Sequence, residues 1–185
     1  MNYGDIKRFD VANGTGVRVS LFVSGCTHHC KDCFNKETWD FHYGKPFTPK
    51  EEEAVIEYLK PDYIAGLTLI GGEPLEPSNQ EVLLPFVKKV KEIYPDKDVW
   101  CYTGYLFDRD VLGDMCKKSE ITKELLTYID ILVDGEFVEA KHDISLRFRG
   151  SSNQRLLDVK KTLAAGEPVW WEDEAVFATH TMDRN

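Results

Sequence analysis

The sequence predicts an α/β fold built on a parallel sheet. Three observations carry this expectation. Strand-like and helix-like stretches alternate at intervals of about 30 residues, which is the pattern of βαβ units. Between Gln80 and Tyr94, the residues Val82, Leu83, Phe86, Val87, Val90 and Ile93 form one helical stripe with lysines opposite. The strand-like stretches also run into unusual loops, and open α/β sheets bind ligands beyond the carboxyl ends of their strands.

The elements follow in order. Gly16 to Val23 is β-branched and alternating, and it delivers the chain to Ser24-Gly25-Cys26. The cysteines then occupy a loop that ends near Asn35. Thr48-Pro49-Lys50-Glu51 is a helix start: Thr48 caps, Pro49 suits the first turn and Glu51 completes a capping box. That helix runs to about Lys60, where Pro61 helps to stop it. Tyr63 to Ile70 reads as a buried strand ending at Gly71-Gly72-Glu73-Pro74. Pro85 lies inside the striped helix and is expected to kink it or delay its start. Asp98 to Thr103 is a strand ending at Gly104. Short helices are expected at Asp108 to Cys116 and Thr122 to Tyr128, and a last strand from Ile129 to Val133 ends at Asp134-Gly135. Four strand exits therefore point at one mouth. No repeat or low-complexity linker divides the chain, so residues 1–185 read as one domain.

Composition narrows the function. The formal net charge of −9 and the pI near 5.1 argue against binding nucleic acid or an anionic membrane surface. No apolar run approaches the ~20 residues that span a bilayer, and the first ten residues lack a signal-peptide core, so the expected location is the cytoplasm. Thiols stay reduced there. The chain has 5 cysteines, an odd number, and three of them crowd between Cys26 and Cys33, which suits metal ligation better than disulfides.

The cluster reads Cys26-Thr27-His28-His29-Cys30-Lys31-Asp32-Cys33, or C-x3-C-x2-C. Thiolates are the ligands of iron–sulfur clusters. Three ligands leave one iron open to a small molecule, which favours chemistry over electron storage. A zinc site of three cysteines with His28 or His29 is the main alternative, and it would make the chain a zinc-stabilised binding module. His28 and His29 fit better as exposed loop residues or as supports of the ligands than as ligands themselves. Cys101 and Cys116 read as buried small residues.

These two motifs, the cysteine triad after one strand and Gly71-Gly72-Glu73-Pro74 after the next, resemble the signature of radical S-adenosylmethionine (SAM) enzymes. The stretch C-T-H-H-C-K-D-C-F-N is similar to the loop of the activating proteins of anaerobic (class III) ribonucleotide reductase, which usually carry glycine at the position of Asp32. Further matching stretches are Phe22 to Cys26, Cys101 to Tyr105, Val133 to Phe137 and Arg149 to Arg155. The resemblance covers roughly Ile6 to Asp158. It implies a partial, incomplete parallel β/α barrel of radical SAM type. It also implies a [4Fe-4S] cluster on Cys26, Cys30 and Cys33, with SAM bound at the open iron.

The remaining expectations rest on that resemblance. A reduced flavodoxin-type donor would supply an electron. Reductive cleavage of SAM would give methionine and a 5′-deoxyadenosyl radical, which would abstract hydrogen from a glycine in the large reductase subunit. An activase of another glycyl-radical enzyme, or another small radical SAM enzyme, is the alternative. No general base is required, so no side chain is assigned an acid/base role. Gly71, Gly72 and Glu73 are expected to meet the ammonium end of SAM. Asp32, Cys33 and Phe34 are expected on its adenine side, with Thr103 and Asp134 as further pocket residues. For Phe34 core packing is the competing reading, and for Thr103 and Asp134 it is turn or cap chemistry. Arg147, Arg149 and Arg155 read as a basic patch that either meets an acidic partner or a carboxylate of SAM, or is a solvated face with salt bridges, the last being the favoured reading. Trp170-Trp171 reads as an interaction edge or a packed final strand.

Overall fold

The computed structural model describes residues 1–172. The strands are β1 (Asn2–Asp10), β2 (Val17–Val23), β3 (Lys45–Pro46), β4 (Ile64–Gly71), β5 (Asp98–Tyr102), β6 (Ile131–Asp134) and β7 (Arg155–Asp158). The helices are α1 (Pro49–Leu59), α2 (Pro77–Ile93), α3 (Cys116–Lys118), α4 (Glu120–Tyr128) and α5 (Val159–Ala165). A π-helical stretch, Phe107–Met115, runs into α3 where an ordinary helix was expected, and short 3-10 turns occupy Lys36–Trp39 and Glu139–Lys141.

These strands form one open seven-stranded sheet in the order β3-β1-β2-β4-β5-β6-β7. The inner strands β2, β4, β5 and β6 are parallel, as expected. The sheet as a whole is mixed, because β1, β3 and β7 pair antiparallel with their neighbours. This corrects the expectation of an all-parallel sheet. Residues 11–16 between β1 and β2 are too few for a parallel crossover, which takes a dozen or more, so the chain must turn back. β1 itself escapes sequence patterning: its residues are polar and mostly half-buried or exposed, and pairing with β2 makes it a strand.

The parallel strands lie in chain order without reversal. Same-handed crossovers then put the connecting helices on one face. Alternation within the strands agrees. Val19, Leu21, Leu67, Leu69, Val99, Cys101 and Leu132 pack with Val55, Leu83, Phe86, Val87 and Leu125 of the helices. Trp100, Ile131, Val133 and Leu156 belong to a separate cluster with Tyr102, Phe148 and Trp171 on the opposite face. That second face is left to the site.

Local signals behave as their chemistry requires. Glu51 accepts a hydrogen bond from the Thr48 backbone at 3.2 Å, completing one half of the capping box. α2 starts at Pro77, three residues before the expected Gln80, with a proline in its first turn. Pro85 does not delay it: the proline is on the exposed side, where solvent can satisfy the carbonyl it leaves unpaired. Among the described residues no helix is long and apolar enough to cross a membrane.

Candidate metal centre

The β2 exit carries the cysteine loop, and backbone bonds pin its base. Gly25 N donates to Thr38 O at 2.7 Å and Cys26 N to Trp39 O at 3.2 Å. Thr27 N donates to the buried Glu76 carboxylate at 2.9 Å. The loop then curls through two non-glycine residues in the left-handed region, His29 at φ 51° and Asp32 at φ 60°. Each stands directly before a cysteine. Asp tolerates this conformation better than most side chains.

Cys26, Cys30 and Cys33 are free thiols, and all three line one cavity of about 430 Å³ on the face away from the helices. Gly71, Gly72 and Glu73 line it from the β4 exit, Thr103 and Gly104 from the β5 exit and Gly135 from the β6 exit. Four strand ends thus meet, as the loop pattern predicted. Burial pushes the Cys26 thiol up to about 12 and also raises that of Cys30. A bound metal would reverse this by holding the thiolates ionised. Asn35 N approaches the Cys33 sulfur at 3.4 Å, a contact of the kind that tunes cluster potential.

The donor set fits an iron–sulfur cluster. Three soft thiols surround a space large enough for a polynuclear group. Among the described residues no three His, Cys, Asp or Glu side chains are gathered at the spacing of a single ion. The histidines have other occupations. His28 Nε2 lies 3.1 Å from Glu73 Oε2, in ion-pair contact but off the angle of a hydrogen bond, and Nδ1 lies 3.1 Å from Glu136 Oε1. Burial opposes the charge on His28, but the two carboxylates outweigh it and raise the pKa above its ordinary value. His29 stacks on Trp39 with ring centroids 4.6 Å apart.

The other expected site residues separate into two groups. Gly71, Gly72, Glu73, Cys33, Phe34 and Thr103 line the cavity; Asp32 and Asp134 are not among its lining residues. The glycines are needed by the protein itself. A Cβ on Gly72 would stand 2.7 Å from Gly25 O and 2.9 Å from Thr38 O, and Gly71 has φ 109°. The carboxylate of Glu73 is fully enclosed, accepting from Leu75 N and from Gly104 N, each at 2.8 Å. Thr103 Oγ1 accepts from Tyr105 N at 3.1 Å, which is turn chemistry. Asp134 is buried, accepting from Phe107 N at 2.8 Å and pairing with Arg155. Asp32 is exposed beside Lys36. Phe34 is 67% exposed and touches Phe137 and His142, so it is not a core residue.

The three arginines have separate surroundings rather than one shared patch. Arg155 bridges Asp134 and Asp108, Arg149 is a buried part of the cavity wall and Arg147 lies over the Phe148 ring. Trp171 packs on Trp100 at 5.1 Å, and Trp170 makes a single antiparallel bridge to Leu157. Several cavity residues were not anticipated, among them Phe22, Trp39, Tyr102, Phe148 and Gln154. For Phe22 and Tyr102 the signal was present: each sits at an alternate position of a predicted strand, on the face opposite the helix-packed residues.

Comparison with known proteins agrees with this geometry. The model of the 4Fe-4S single cluster domain family matches residues 12–157. The anaerobic ribonucleoside-triphosphate reductase-activating protein of Pasteurella multocida is 49% identical over 156 residues, covering 83% of this chain and 95% of that protein. The proteins of the same name from Haemophilus influenzae and Escherichia coli are 47% and 41% identical, each over 83% of this chain and 96% of their own length. With matches of this extent and an α/β scaffold that brings three cysteines to one cavity, the chain belongs to the family of anaerobic ribonucleoside-triphosphate reductase-activating proteins.

Proposed function

We propose that this chain activates an anaerobic ribonucleoside-triphosphate reductase by generating a glycyl radical on its large subunit. In this reading the open sheet is an incomplete β/α barrel of radical SAM type, and Cys26, Cys30 and Cys33 hold a [4Fe-4S] cluster. The chemistry supplied by the bound cluster is one-electron cleavage of SAM to methionine and a 5′-deoxyadenosyl radical. A flavodoxin-type protein serves as the electron donor.

The observation that carries the reading is the shared cavity: three thiols and the exits of β4, β5 and β6 line the same space. The chain's own residues do positional work there. Gly71 and Gly72 bring backbone to the cavity wall, and the enclosed carboxylate of Glu73 holds the β4 and β5 exits together. Phe22, Tyr102 and Phe148 supply apolar wall that excludes water from a radical. No residue needs to move a proton.

The test is anaerobic reconstitution with iron and sulfide, followed by SAM, dithionite and assay for 5′-deoxyadenosine. Brown protein that cleaves SAM, and then yields a glycyl-radical electron paramagnetic resonance (EPR) signal with the reductase, is the expected result. Cys30→Ala should lose both activities, whereas Cys101→Ala should keep them. Colourless protein with stoichiometric zinc and intact SAM would overturn the proposal.

A further inference from the structure

The geometry points to His28 as a positioning residue that fixes the cysteine loop, and with it the Cys30 thiol, through its contact with Glu73. The inference rests on the reading that the three thiols hold an iron–sulfur cluster. His28 lies between Cys26 and Cys30, yet its side chain is only 10% exposed and turns inward. Its seat is assembled from three other strand exits. Glu73, behind β4, stands 3.1 Å from Nε2. Tyr105, behind β5, meets the ring at a centroid distance of 4.3 Å. Glu136, behind β6, stands 3.1 Å from Nδ1.

Gly104 shows how closely the seat is cut. A Cβ there would lie 2.7 Å from the imidazole ring, so a glycine at this position makes room for His28. The two carboxylates are unequal partners. Glu73 is 1% exposed and already fixed by Leu75 N and Gly104 N, so it cannot follow a moving loop. Glu136 is 55% exposed and solvent competes for it. The Glu73 contact is therefore the rigid anchor, while the Nδ1 hydrogen bond to Glu136 ends on a solvent-exposed side chain and is the more yielding of the two. Residues that orient metal ligands through such contacts typically change metal retention by about 10–100-fold when removed. Loss of His28 does not strand its partners, since Glu73 keeps both amide donors and Glu136 keeps water. The apoprotein should accordingly stay folded.

The experiment compares wild type, His28→Ala, His28→Gln and His28→Asn after anaerobic reconstitution. The glutamine amide nitrogen reaches the place of Nε2 and can restore a polar contact with Glu73. The asparagine amide nitrogen sits at the place of Nδ1 and cannot. The readouts are the rate of iron loss to a chelator, the EPR g-values and reduction potential of the reduced cluster, and the melting midpoint of the apoprotein.

His28→Ala and His28→Asn should lose iron about tenfold faster than wild type, with altered g-values and potential. Glutamine should recover most of the retention. The apoprotein midpoints should agree within about 5 °C. Equal retention, spectra and potentials in all four proteins would overturn the inference. So would faster loss in the glutamine variant than in the asparagine variant. Should the alanine variant not fold, the order of glutamine and asparagine decides alone. Failure of wild type itself to take up a cluster defeats the underlying functional reading instead, so the two failures are distinct.

Discussion

Glu73 and Gly104, separated by 31 positions in the chain, are joined by a 2.8 Å hydrogen bond from the Gly104 amide to the buried carboxylate. The same carboxylate accepts from Leu75 N at 2.8 Å. One side chain therefore clamps the exits of two neighbouring parallel strands beneath the cysteine loop. Glu73→Ala leaves both amides without their acceptor, at a cost of about 1–3 kcal/mol each. Urea unfolding of the apoprotein measures this, and an unchanged midpoint would show that the clamp carries no stability.

Gly72 meets the cysteine loop through backbone alone. Its ideal Cβ position lies 2.7 Å from Gly25 O and 2.9 Å from Thr38 O, neither of which can rotate away. Gly72→Ala should push the β2 exit outward, lower stability by about 1–3 kcal/mol and reduce iron incorporation. Iron content after reconstitution, alongside a melting curve, checks both parts. Wild-type values in both would refute the close fit.

Asp32 and His29 give the loop its curl through positive φ. Asp32→Gly relieves the conformation without removing a buried contact, and iron content should equal that of wild type. Asp32→Val places a β-branched residue in the left-handed region, which should cost about 1–2 kcal/mol locally and impair cluster assembly. Equal iron uptake by the valine variant would mean that the turn can be dispensed with.

Asp130 predicts the acid side of the stability profile. Burial opposes its ionisation, but Lys160, Lys91 and the Val99 amide outweigh that, so its folded pKa lies below the ordinary 3.8. The ionised carboxylate thus contributes full stability above the unfolded pKa, and the contribution is lost as pH falls toward the folded value. Asp130→Asn should lower stability at neutral pH by about 1–3 kcal/mol and flatten the profile below pH ~4. Denaturant midpoints across acid pH provide the check, and parallel profiles for the two proteins would contradict it.

By itself, the sequence determined the inner scaffold and pointed to a candidate donor set. Period-two and helical patterns located β2, β4, β5, β6 and α2, because buried faces demand apolar residues at fixed intervals, and the capping signal at Thr48 to Glu51 located α1. The spacing of Cys26, Cys30 and Cys33 singled out the candidate metal ligands, since ligand chemistry depends on residue type and short-range reach. The convergence of the strand exits followed from parallel topology. Only the tertiary structure decided the edges: β1 is polar and owes its existence to pairing with β2, which no local pattern encodes. It also decided the partners of the polar site residues. Asp134 became the mate of Arg155, Glu73 the clamp on Gly104 and His28 a ring seated between two carboxylates. Which donor a buried carboxylate meets depends on distances between segments remote in the chain. Those distances exist only once the sheet has assembled and burial has made every unpaired polar group costly.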